Sequence, residues 1–486
     1  MYSDFESLKQ ALAKNNQTHI LSKFDVNNST HVNYLLDTFS SLNVDKYCQS
    51  IQSNLNSEKR EKEFFLPPRS QDFCSHDDLS KEELNELAEI GLKALSENKV
   101  AVILLSGGQG TRLGVDYPKG MFNVGLPSEK SLFQLQAERL SALAKLVEKK
   151  FNKRCRIQWY IMTSDFTCDQ ARDFFNSNNN FGFPQSDIMF FEQFTVPSVS
   201  FEGKFLMRTD TRLAQSPDGN GGIYRALRER GILKDMANKG IEHIHVYCVD
   251  NILIRMADPE FIGYCIKSKA DCGVKTVEKK NPYESVGVVG LANNLNRIIE
   301  YSEITNELAE AKDPSHPDKL LFRAGSICIF YFNKKFIDMM ATEEFETKIP
   351  FHFAKKVIPI WDGEKTVKPT EPNGFKLEKF IFDVFPFAKK LAIWNVDRKD
   401  NFSALKNPSC KLTECPETSR KSLLDQHKRY AERAGAIFTN DDSILEIDPA
   451  VSLFGENLEF MNNVRLSGIN RATMNVKNQP VIHQIE

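Results

Sequence analysis

"LLSGGQGTRLGVDYPKG", residues 104–120, decides the fold, because its glycines directly follow the apolar run "VAVILL" at 100–105. A buried strand that ends in a glycine-rich loop is typical of α/β proteins, whose parallel sheets bind ligands beyond the carboxyl ends of their strands. The loop fits neither familiar phosphate-binding pattern. In G-x-G-x-x-G counted from Gly108 and Gly110, Leu113 takes the place of the third glycine, and the G-K-[ST] triplet of the P-loop is absent.

The glycines and two nearby cations predict an anion-binding loop. Gly107 and Gly108 allow the backbone to approach a ligand closely and to present N–H groups to it. Arg112 lies within the loop and Lys119 follows it. A guanidinium binds phosphate oxygens bidentately, whereas an ammonium acts as a compact charge. The alternatives are a tight strand-to-helix turn and a solvated pair of surface cations.

Short apolar runs alternate with an amphipathic helical pattern along the middle of the chain, which predicts an α/β fold with a mainly parallel sheet. The predicted elements are strands at 100–105, 156–163, 187–193 and 243–251 and a helix from Ser131 to Val147. No helical pattern separates the strand-like segments at 285–291, 296–302 and 322–332, so we expect an antiparallel extension there.

The two ends of the chain depart from this pattern. The polar N-terminal region has its clearest helix after Ser80, which has capping-box spacing to Glu83. After Trp394 the sequence becomes short-stranded, with a predicted linker at 406–420. We predict three domains: a mainly helical N-terminal domain at 1–97, a central domain at 98–400 and a small C-terminal domain with short strands at 401–486.

The composition disfavours several classes of partner. The 486 residues include 63 Lys and Arg against 65 Asp and Glu, a near balance that gives no global attraction for nucleic acids or anionic membranes. We find neither a secretory h-region nor an apolar run near the roughly 18 residues of a membrane span. The ten cysteines contain no C-x-x-C pair. We therefore expect reduced thiols and a cytoplasmic protein.

A second glycine-rich stretch and a carboxylate at a predicted strand end are two further candidate motifs. "SPDGNGG" at 216–222 is by itself only a turn signal, because Asp-Gly and Asn-Gly are turn dipeptides. Asp250 ends an apolar strand, where a carboxylate at the binding edge of the sheet is well placed to hold Mg²⁺ against phosphate oxygens. A helix cap or a loop salt bridge is the alternative for Asp250.

Two pairs of residues have ordinary structural interpretations. His243 and His245 point to one face of their strand without a cluster of further ligands, so we expect a packed or surface role. Phe380 and Phe382 are core aromatics if residue type alone is considered.

Seven blocks of this sequence occur together in one family. They are "LLSGGQGTRLGVDYPKGMFNVGLPSEKSLFQLQAERL" (104–140), "SPDGNGG" (216–222), "HVYCVDN" (245–251), "ESVGVV" (284–289), "IIEYSEI" (298–304), "KPTEPNGFKLEKFIFDVF" (368–385) and "FSALKN" (402–407). In this order, over most of the chain, they closely resemble the eukaryotic UDP-N-acetylglucosamine pyrophosphorylases. The G-G-x-G-T-R-L-G…P-K-G signature is specific to UTP-using sugar nucleotidyltransferases, and the later blocks resemble the N-acetylhexosamine branch.

The resemblance implies a reaction and an architecture. The reaction converts UTP and N-acetylglucosamine 1-phosphate into UDP-N-acetylglucosamine and pyrophosphate, with Mg²⁺ required. The fold is a Rossmann-like, mostly parallel mixed sheet of the nucleotidyltransferase type with smaller N- and C-terminal domains. A phosphate monoester has a second pKa of about 6, so it is mostly ionised at neutral pH and needs no general base. Accordingly, the sequence has neither a G-x-S-x-G elbow nor a recognisable catalytic triad.

The resemblance also implies roles for individual residues. Arg112 and Lys119 would act electrostatically on the triphosphate and the leaving group, and Asp250 would hold the metal. The implied nucleotide contacts are Gly107, Gly108, Gln193, Gly219 and Lys406, with Gln193 and Gly219 at the uracil. The implied sugar contacts are Asn220, Gly287, Glu300, Ser326, Phe380 and Phe382, with the two phenylalanines forming the pocket for the N-acyl group.

Three positions depart from the family pattern. Ser326 stands where an asparagine is usual, and Phe194 and Asp165 each replace a usual glycine. These changes leave two alternatives open: a UDP-N-acetylgalactosamine or broader UDP-sugar pyrophosphorylase, and a low-activity sensor that binds UDP-sugars. Retention of Arg112, Lys119 and Asp250 together favours an enzyme.

Overall fold

The strand Val100–Leu105 lies inside the largest sheet and is buried along its whole length. The computed structural model describes residues 2, 4–25, 27–40, 42–55 and 63–485. Val100–Leu105 pairs in parallel with Gln158–Thr163 on one side and with His243–Cys248 on the other. Ile188–Glu192 pairs in parallel with Gln158–Thr163. The four strands predicted from the apolar runs are therefore confirmed.

A ten-residue antiparallel strand, Ala324–Asn333, lies in the interior of the same sheet. It pairs with His243–Cys248 and with Cys272–Glu278, and Leu391–Asn395 and Phe73–Ser75 then follow in parallel. The predicted antiparallel direction of this strand is confirmed, but the strand lies inside the sheet rather than in an extension, because its apolar side chains face both layers and suit a position between two neighbours.

A hairpin extends the sheet beyond this antiparallel strand. Its strands are Val288–Ala292 and Leu295–Ile299, and Val288 pairs with Gly325. The predicted antiparallel extension therefore exists at the hairpin. Together these strands form a mostly parallel mixed sheet, as the α/β pattern predicts.

The helices around the sheet begin and end where local sequence signals place them. Ser80 caps Lys81–Ser96, and Glu83 Oε2 accepts from Ser80 N at 2.8 Å, which confirms the capping box. The predicted helix from Ser131 to Val147 is Leu132–Phe151, one turn longer. The other helices of at least eight residues around this sheet are Cys168–Ser177, Pro259–Lys267 and Pro416–Arg433, the last of which begins inside the predicted linker.

The chain forms two compact units, each assembled from three segments. The smaller unit contains residues 1–65, 193–234 and 338–386, and the larger unit contains residues 66–192, 235–337 and 387–486. Compactness does not show which segments fold independently, so the three sequential domains remain a prediction. None of the described helices is both long and apolar enough to cross a membrane.

The smaller unit combines three N-terminal helices and further short helices with short strands. Its helices Phe5–Lys14, Ser29–Phe39 and Val44–Leu55 bury residues such as Leu8, Leu35 and Ile51 in one apolar core with Val199, Phe205 and Leu377. The Tyr47 hydroxyl donates to the Pro197 carbonyl at 2.6 Å. The paired strands are Thr195–Pro197 with Gln215–Pro217, Met207–Thr209 with Arg212–Leu213, Ile360–Trp361 with Thr366–Val367, and Gly374–Glu378 with both His352–Lys356 and Val199–Ser200.

The C-terminal part of the larger unit contains short strands. They are Ile437–Phe438, Ile444–Ile447, Arg465–Leu466, Ile469–Met474 and Pro480–Ile485. The remaining short helices and strands of the chain are Phe65–Leu66, Ile223–Glu229, Ile232–Asn238, Asn306–Glu310, Lys312–Asp313, His316–Leu320, Lys334–Met340, Glu343–Glu346 and Arg398–Asn401. Ser128 and Lys130 tie this part to the rest of the unit by hydrogen bonds to Glu446 and Asp448 at 2.6–2.8 Å.

Two glycines allow the helices Lys81–Ser96 and Pro259–Lys267 to touch backbone to backbone. A Cβ atom added at Gly91 would lie 2.0 Å from the Pro259 carbonyl oxygen, and one added at Gly263 would lie 1.8 Å from the Leu87 carbonyl oxygen. These distances are far below van der Waals contact, so the crossing admits only glycine at both positions.

We predict that Gly263→Ala lowers the free energy of unfolding by about 1–3 kcal/mol, because the new methyl group forces the two helices apart. The result would run against helix propensity, since alanine in a helix is favoured over glycine by up to about 1 kcal/mol. Urea unfolding measures the change. The exposed residue Lys93 on the same helix pair provides the control, and Lys93→Ala should leave stability within about 0.5 kcal/mol. Unchanged stability of Gly263→Ala would contradict the tight crossing.

Candidate active site

The glycine-rich loop leaves the carboxyl end of Val100–Leu105 and is tied to the next strand. Ser106 N donates to Met162 O at 2.8 Å, and Ser164 Oγ donates to Gly107 O at 2.9 Å. Gly108 is exposed, and a Cβ atom added there would meet no protein atom within 4 Å. Packing within the protein therefore does not explain this glycine, and the free space leaves room for a ligand next to the backbone.

The loop folds back on itself and presents Arg112. Gly110 N donates to Tyr117 O at 2.9 Å, and Lys119 N donates to Gly108 O at 3.4 Å. Arg112 lies in the short 3₁₀ turn Thr111–Leu113, and its side chain is exposed. Among the residues that the structure describes, its guanidinium has no hydrogen-bond or ion-pair partner, so all its donors are available to an anion.

Backbone contacts bring Lys119, Asp250 and Lys406 together in the larger unit. Lys119 Nζ donates to the Leu405 carbonyl at 3.1 Å, and Leu405 N donates to the Asp250 carbonyl at 2.8 Å. Lys406 is the next residue; its side chain is 41% exposed and its ammonium lies 3.5 Å from Glu414. Two predicted phosphate-facing cations thus lie on or against the segment that is hydrogen-bonded to the backbone of Asp250.

The Asp250 carboxylate fits a magnesium ion. It is partly exposed, and no described residue donates a hydrogen bond to it or pairs with it as an ion. No group of three or more His, Cys, Asp or Glu side chains suited to a metal occurs in the described part of the chain. Mg²⁺ is commonly held by one or two carboxylates, with water and substrate phosphates as its other ligands. A single available carboxylate beside two cationic side chains matches that mode of binding.

The charges at this edge of the sheet shift the pKa values of two thiols, Cys248 and Cys328. A hydrogen bond to Cys328 and burial raise the pKa of Cys248, Asp250 raises it further, and Lys119 opposes the change. The hydrogen bond from Cys248 lowers the pKa of Cys328, and Lys406 lowers it further. Burial, Asp250 and Glu300 act in the opposite direction. The carboxylates and ammonium groups named here therefore act on the same small region.

Gly287, Glu300 and Ser326, three predicted sugar contacts, also meet in the larger unit. Ser326 N donates to the Gly287 carbonyl at 2.9 Å. A Cβ atom added at Gly287 would lie 3.1 Å from Glu300 Oε1. Ser326 is only 8% exposed, and its hydroxyl has no hydrogen-bond partner within the described protein. A buried hydroxyl in that state is suited to a polar group of a ligand.

The smaller unit holds the other predicted contacts on two interlocked segments. Lys379 N donates to Asp218 O, and Gly221 N donates to Lys379 O, both at 2.8 Å. Gly219 has φ +83°, and a Cβ atom there would lie 2.4 Å from the Lys379 carbonyl oxygen, so glycine is required. Asp218 N donates to the Phe194 carbonyl at 3.0 Å, which places Gln193 near Gly219.

Asn220 joins this region to the predicted N-acyl pocket. Its Oδ1 accepts from Ile381 N at 3.0 Å. Within the described part of the chain the Nδ2 group has no acceptor, so its two hydrogens are available to a ligand hydroxyl. Ile381 lies between Phe380 and Phe382, whose ring centroids are 5.2 Å apart. Phe382 is 8% exposed and Phe380 is partly buried.

Comparisons with known proteins agree with this geometry. The family described as UTP–glucose-1-phosphate uridylyltransferase matches residues 39–474. A Xenopus tropicalis protein named UDP-N-acetylhexosamine pyrophosphorylase-like protein 1 is 46% identical over 395 residues, which are 78% of this chain and 77% of that protein. The UDP-N-acetylglucosamine pyrophosphorylase of Saccharomyces cerevisiae is 45% identical over 400 residues and 81% of each chain.

This chain belongs to the UDP-N-acetylhexosamine pyrophosphorylase family. A crystal structure of the Trypanosoma brucei uridine diphosphate N-acetylglucosamine pyrophosphorylase superposes with a TM-score of 0.83 at 28% identity, covering 95% of both chains. The resemblance inferred from the seven sequence blocks and the nucleotidyltransferase fold are thereby confirmed. The roles of individual residues stay predictions.

The positions that depart from the pyrophosphorylase pattern have specific environments. The guanidinium groups of Arg225 and Arg230 both lie over the Phe194 ring, at 4.1 and 4.6 Å from its centroid. Asp165 is exposed and follows Ser164, whose hydroxyl holds the Gly107 carbonyl. The two strand histidines are packed as expected: His243 Nδ1 lies 2.7 Å from the Tyr331 hydroxyl, and His245 is fully buried.

Sequence reasoning missed the buried charges beneath the loop at 218–222 of this pyrophosphorylase. Asp218, Arg225 and Lys379 are 3%, 4% and 7% exposed. Burial raises the pKa of Asp218 to about 7, against the attraction of Arg225 and Lys379, and one of its carboxylate oxygens has no hydrogen-bond partner among the described residues. Asp218 looked like a turn residue because Asp-Gly is a turn dipeptide, and the position of Asp218 and Lys379 inside two of the quoted sequence blocks was the only signal.

The raised pKa of Asp218 predicts a pH dependence of stability. The folded protein retains a proton on this group up to pH of about 7, whereas the unfolded chain releases it near pH 3.9, so this group's contribution to the free energy of unfolding falls as pH rises between those values. Relative to Asp218→Asn, the wild type should lose roughly 1.4 kcal/mol per pH unit in that range.

Urea unfolding of both proteins at several pH values between about 4.5 and 7.5 measures this difference. Groups common to the two proteins cancel in the comparison. Parallel stability curves for wild type and Asp218→Asn would show that Asp218 does not titrate in this window.

Proposed function

We propose that this protein is a UTP:N-acetylglucosamine-1-phosphate uridylyltransferase. The observation that carries the proposal is the exposed glycine-rich loop, in which Arg112 has no partner among the described residues and Lys119 lies beside the Asp250 segment. Relatives that are 45–46% identical over about four fifths of the chain carry the names of UDP-N-acetylhexosamine and UDP-N-acetylglucosamine pyrophosphorylases. UTP and a sugar 1-phosphate are the substrates, and pyrophosphate and UDP-N-acetylglucosamine are the products.

The reaction is an in-line displacement at phosphorus. A phosphate oxygen of N-acetylglucosamine 1-phosphate attacks the α-phosphorus of UTP, the bond to the α–β bridging oxygen breaks, and pyrophosphate leaves with that electron pair. The nucleophile is already ionised at neutral pH. The protein must therefore align two anions and offset the charge that builds on the leaving group.

Cationic groups and backbone donors supply that stabilisation in our proposal. Arg112 and Lys119 contact the phosphates of UTP and of departing pyrophosphate, Lys406 faces a phosphate, and the N–H groups at Gly107 and Gly108 approach the nucleotide. Asp250 would hold Mg²⁺, which neutralises phosphate charge when bound.

The remaining candidate residues divide between base and sugar. Gln193 and Gly219 contact uracil, and the free amide donors of Asn220 bind a sugar hydroxyl. Gly287, Glu300 and Ser326 contact the sugar, and Phe380 and Phe382 receive the N-acyl methyl group, since a flat apolar wall gains little from a bare hydroxyl.

Ser326 favours a second candidate, a pyrophosphorylase with altered preference between hexosamine epimers. Its hydroxyl is buried without a partner among the described residues, and it is shorter than the asparagine usual in the family. A shorter side chain leaves space for a sugar hydroxyl of the other configuration, so N-acetylgalactosamine 1-phosphate is the competing substrate.

We propose the cytosol as the location of this reaction. All ten cysteines are described, and all ten are free thiols. A reducing compartment maintains that state.

Pyrophosphate release from UTP and Mg²⁺ should distinguish the candidate substrates. We expect N-acetylglucosamine 1-phosphate to support turnover with a higher kcat/KM than N-acetylgalactosamine 1-phosphate, and glucose 1-phosphate to be poorest, because it lacks the N-acyl group. A higher kcat/KM for the galactosamine epimer would favour the second candidate. If none of the three sugar phosphates led to pyrophosphate release, the remaining interpretation would be a sensor that binds UDP-sugars.

Arg112→Ala should lower kcat by roughly 10² or more, because it removes a preorganised charge donor from the transition state. The exposed residue Arg154, which precedes the strand Gln158–Thr163 at the opposite end of the sheet, provides the control. Arg154→Ala should retain wild-type kcat. Equal turnover by Arg112→Ala and wild type, with both folded by circular dichroism, would remove Arg112 from the mechanism.

A further inference from the structure

The ring of Phe380 stacks against the imidazole of His352. His352 begins the strand His352–Lys356, which pairs with Gly374–Glu378 so that His352 lies opposite Glu378. The imidazole stacks on the Phe380 ring with a centroid separation of 4.2 Å and an interplanar angle of 27°. This contact is closer than the 5.2 Å between Phe380 and Phe382.

A carboxylate fixes both partners of this stack. His352 Nε2 lies 2.9 Å from Asp383 Oδ2 and 3.1 Å from Oδ1, and Phe380 N donates to the same Oδ2 at 2.9 Å. An ionised carboxylate only accepts, so the Nε2 hydrogen of His352 donates to it. The Asp383 side chain is 9% exposed and that of His352 is 32% exposed. One acceptor therefore orients the imidazole and the backbone that carries Phe380.

These contacts leave Phe380 little freedom. Its ring is held by His352, its backbone N–H by Asp383, and the next residue, Ile381, donates to Asn220. An apolar wall that is already in position when the ligand arrives loses less side-chain entropy on binding than a mobile ring does. His352 and Asp383 do not need to touch the ligand to produce this effect.

We propose that His352, oriented by Asp383, is a positioning residue that sets selectivity for the N-acyl group by holding the Phe380 ring in place. This inference rests on the proposed function, in which Phe380 and Phe382 receive that group. Replacing His352 should therefore weaken the binding of N-acylated sugars specifically, because a sugar with a bare hydroxyl gains little from contact with the apolar wall.

Three substitutions of His352 separate the ring contact from the hydrogen bond. His352→Ala removes both, His352→Phe keeps a stacking ring without the donor, and His352→Gln keeps a donor without the ring. Asp383→Asn keeps the shape of the side chain that accepts from His352 and removes its charge. His316, 58% exposed in the larger unit, provides the control substitution His316→Ala.

The measurement is kcat/KM for N-acetylglucosamine 1-phosphate relative to glucose 1-phosphate, with UTP and Mg²⁺. We expect His352→Ala to lower this ratio about tenfold, mainly through a higher KM for the N-acetylated substrate, with the KM for UTP unchanged. His352→Phe should recover part of the ratio, Asp383→Asn should lower it, and His316→Ala should match wild type. An equal loss for both sugars, or an unchanged ratio in folded His352→Ala and Asp383→Asn, would overturn the inference.

Binding of the two sugar nucleotides separates this inference from the proposed function. Calorimetry with UDP-N-acetylglucosamine and UDP-glucose reads the same pocket without turnover. A wild type that is inactive but binds the N-acetylated ligand more tightly, with the preference lost in His352→Ala, would overturn the proposed function and support the role of His352. An active wild type whose binding preference survives in His352→Ala would overturn the role of His352 alone.

Discussion

Parallel pairing of Val100–Leu105 with its two neighbours is the constraint on which the proposed phosphate site depends. Because Gln158–Thr163 and His243–Cys248 run in the same direction, their carboxyl ends meet at one edge. The glycine-rich loop, Ser164 and Asp250 all leave from that edge. A protein built in this way needs no catalytic nucleophile, since backbone donors and side-chain charges are concentrated where a triphosphate would lie.

Backbone hydrogen bonds between two segments distant in sequence organise the predicted ligand contacts of the smaller unit. There the backbone of Lys379 is hydrogen-bonded to Asp218 and Gly221, and Gly219 fits against the same carbonyl. The side chains of Asp218, Arg225 and Lys379 are buried in the same unit. Burying ionisable groups contributes little net stability, which suits a role in fixing the geometry of this loop.

The sequence predicted the parallel strands and the capping box at Ser80 because these depend on local patterns of apolar and capping residues. It did not predict the interior position of Ala324–Asn333, since a strand that is apolar on both faces carries no information about which neighbours it has. The glycine-rich loop, its two cations and Asp250 followed from residue pattern, whereas the predicted uracil and sugar contacts followed from the motif blocks. His352, Asp383 and Asp218 were missed because their importance arises from contacts between segments distant in sequence.

The interior antiparallel strand has a consequence for synthesis on the ribosome. His243–Cys248 can pair with its second neighbour only after Ala324–Asn333 has left the ribosome. Phe73–Ser75 can pair only after Leu391–Asn395 has been synthesised. At translation rates of about 5–20 residues per second, these edges remain open for times on the order of several seconds to a minute. Nascent chains of this protein therefore carry unsatisfied strand edges for much of their elongation, and chaperones that shield such edges are the factors on which its yield should depend.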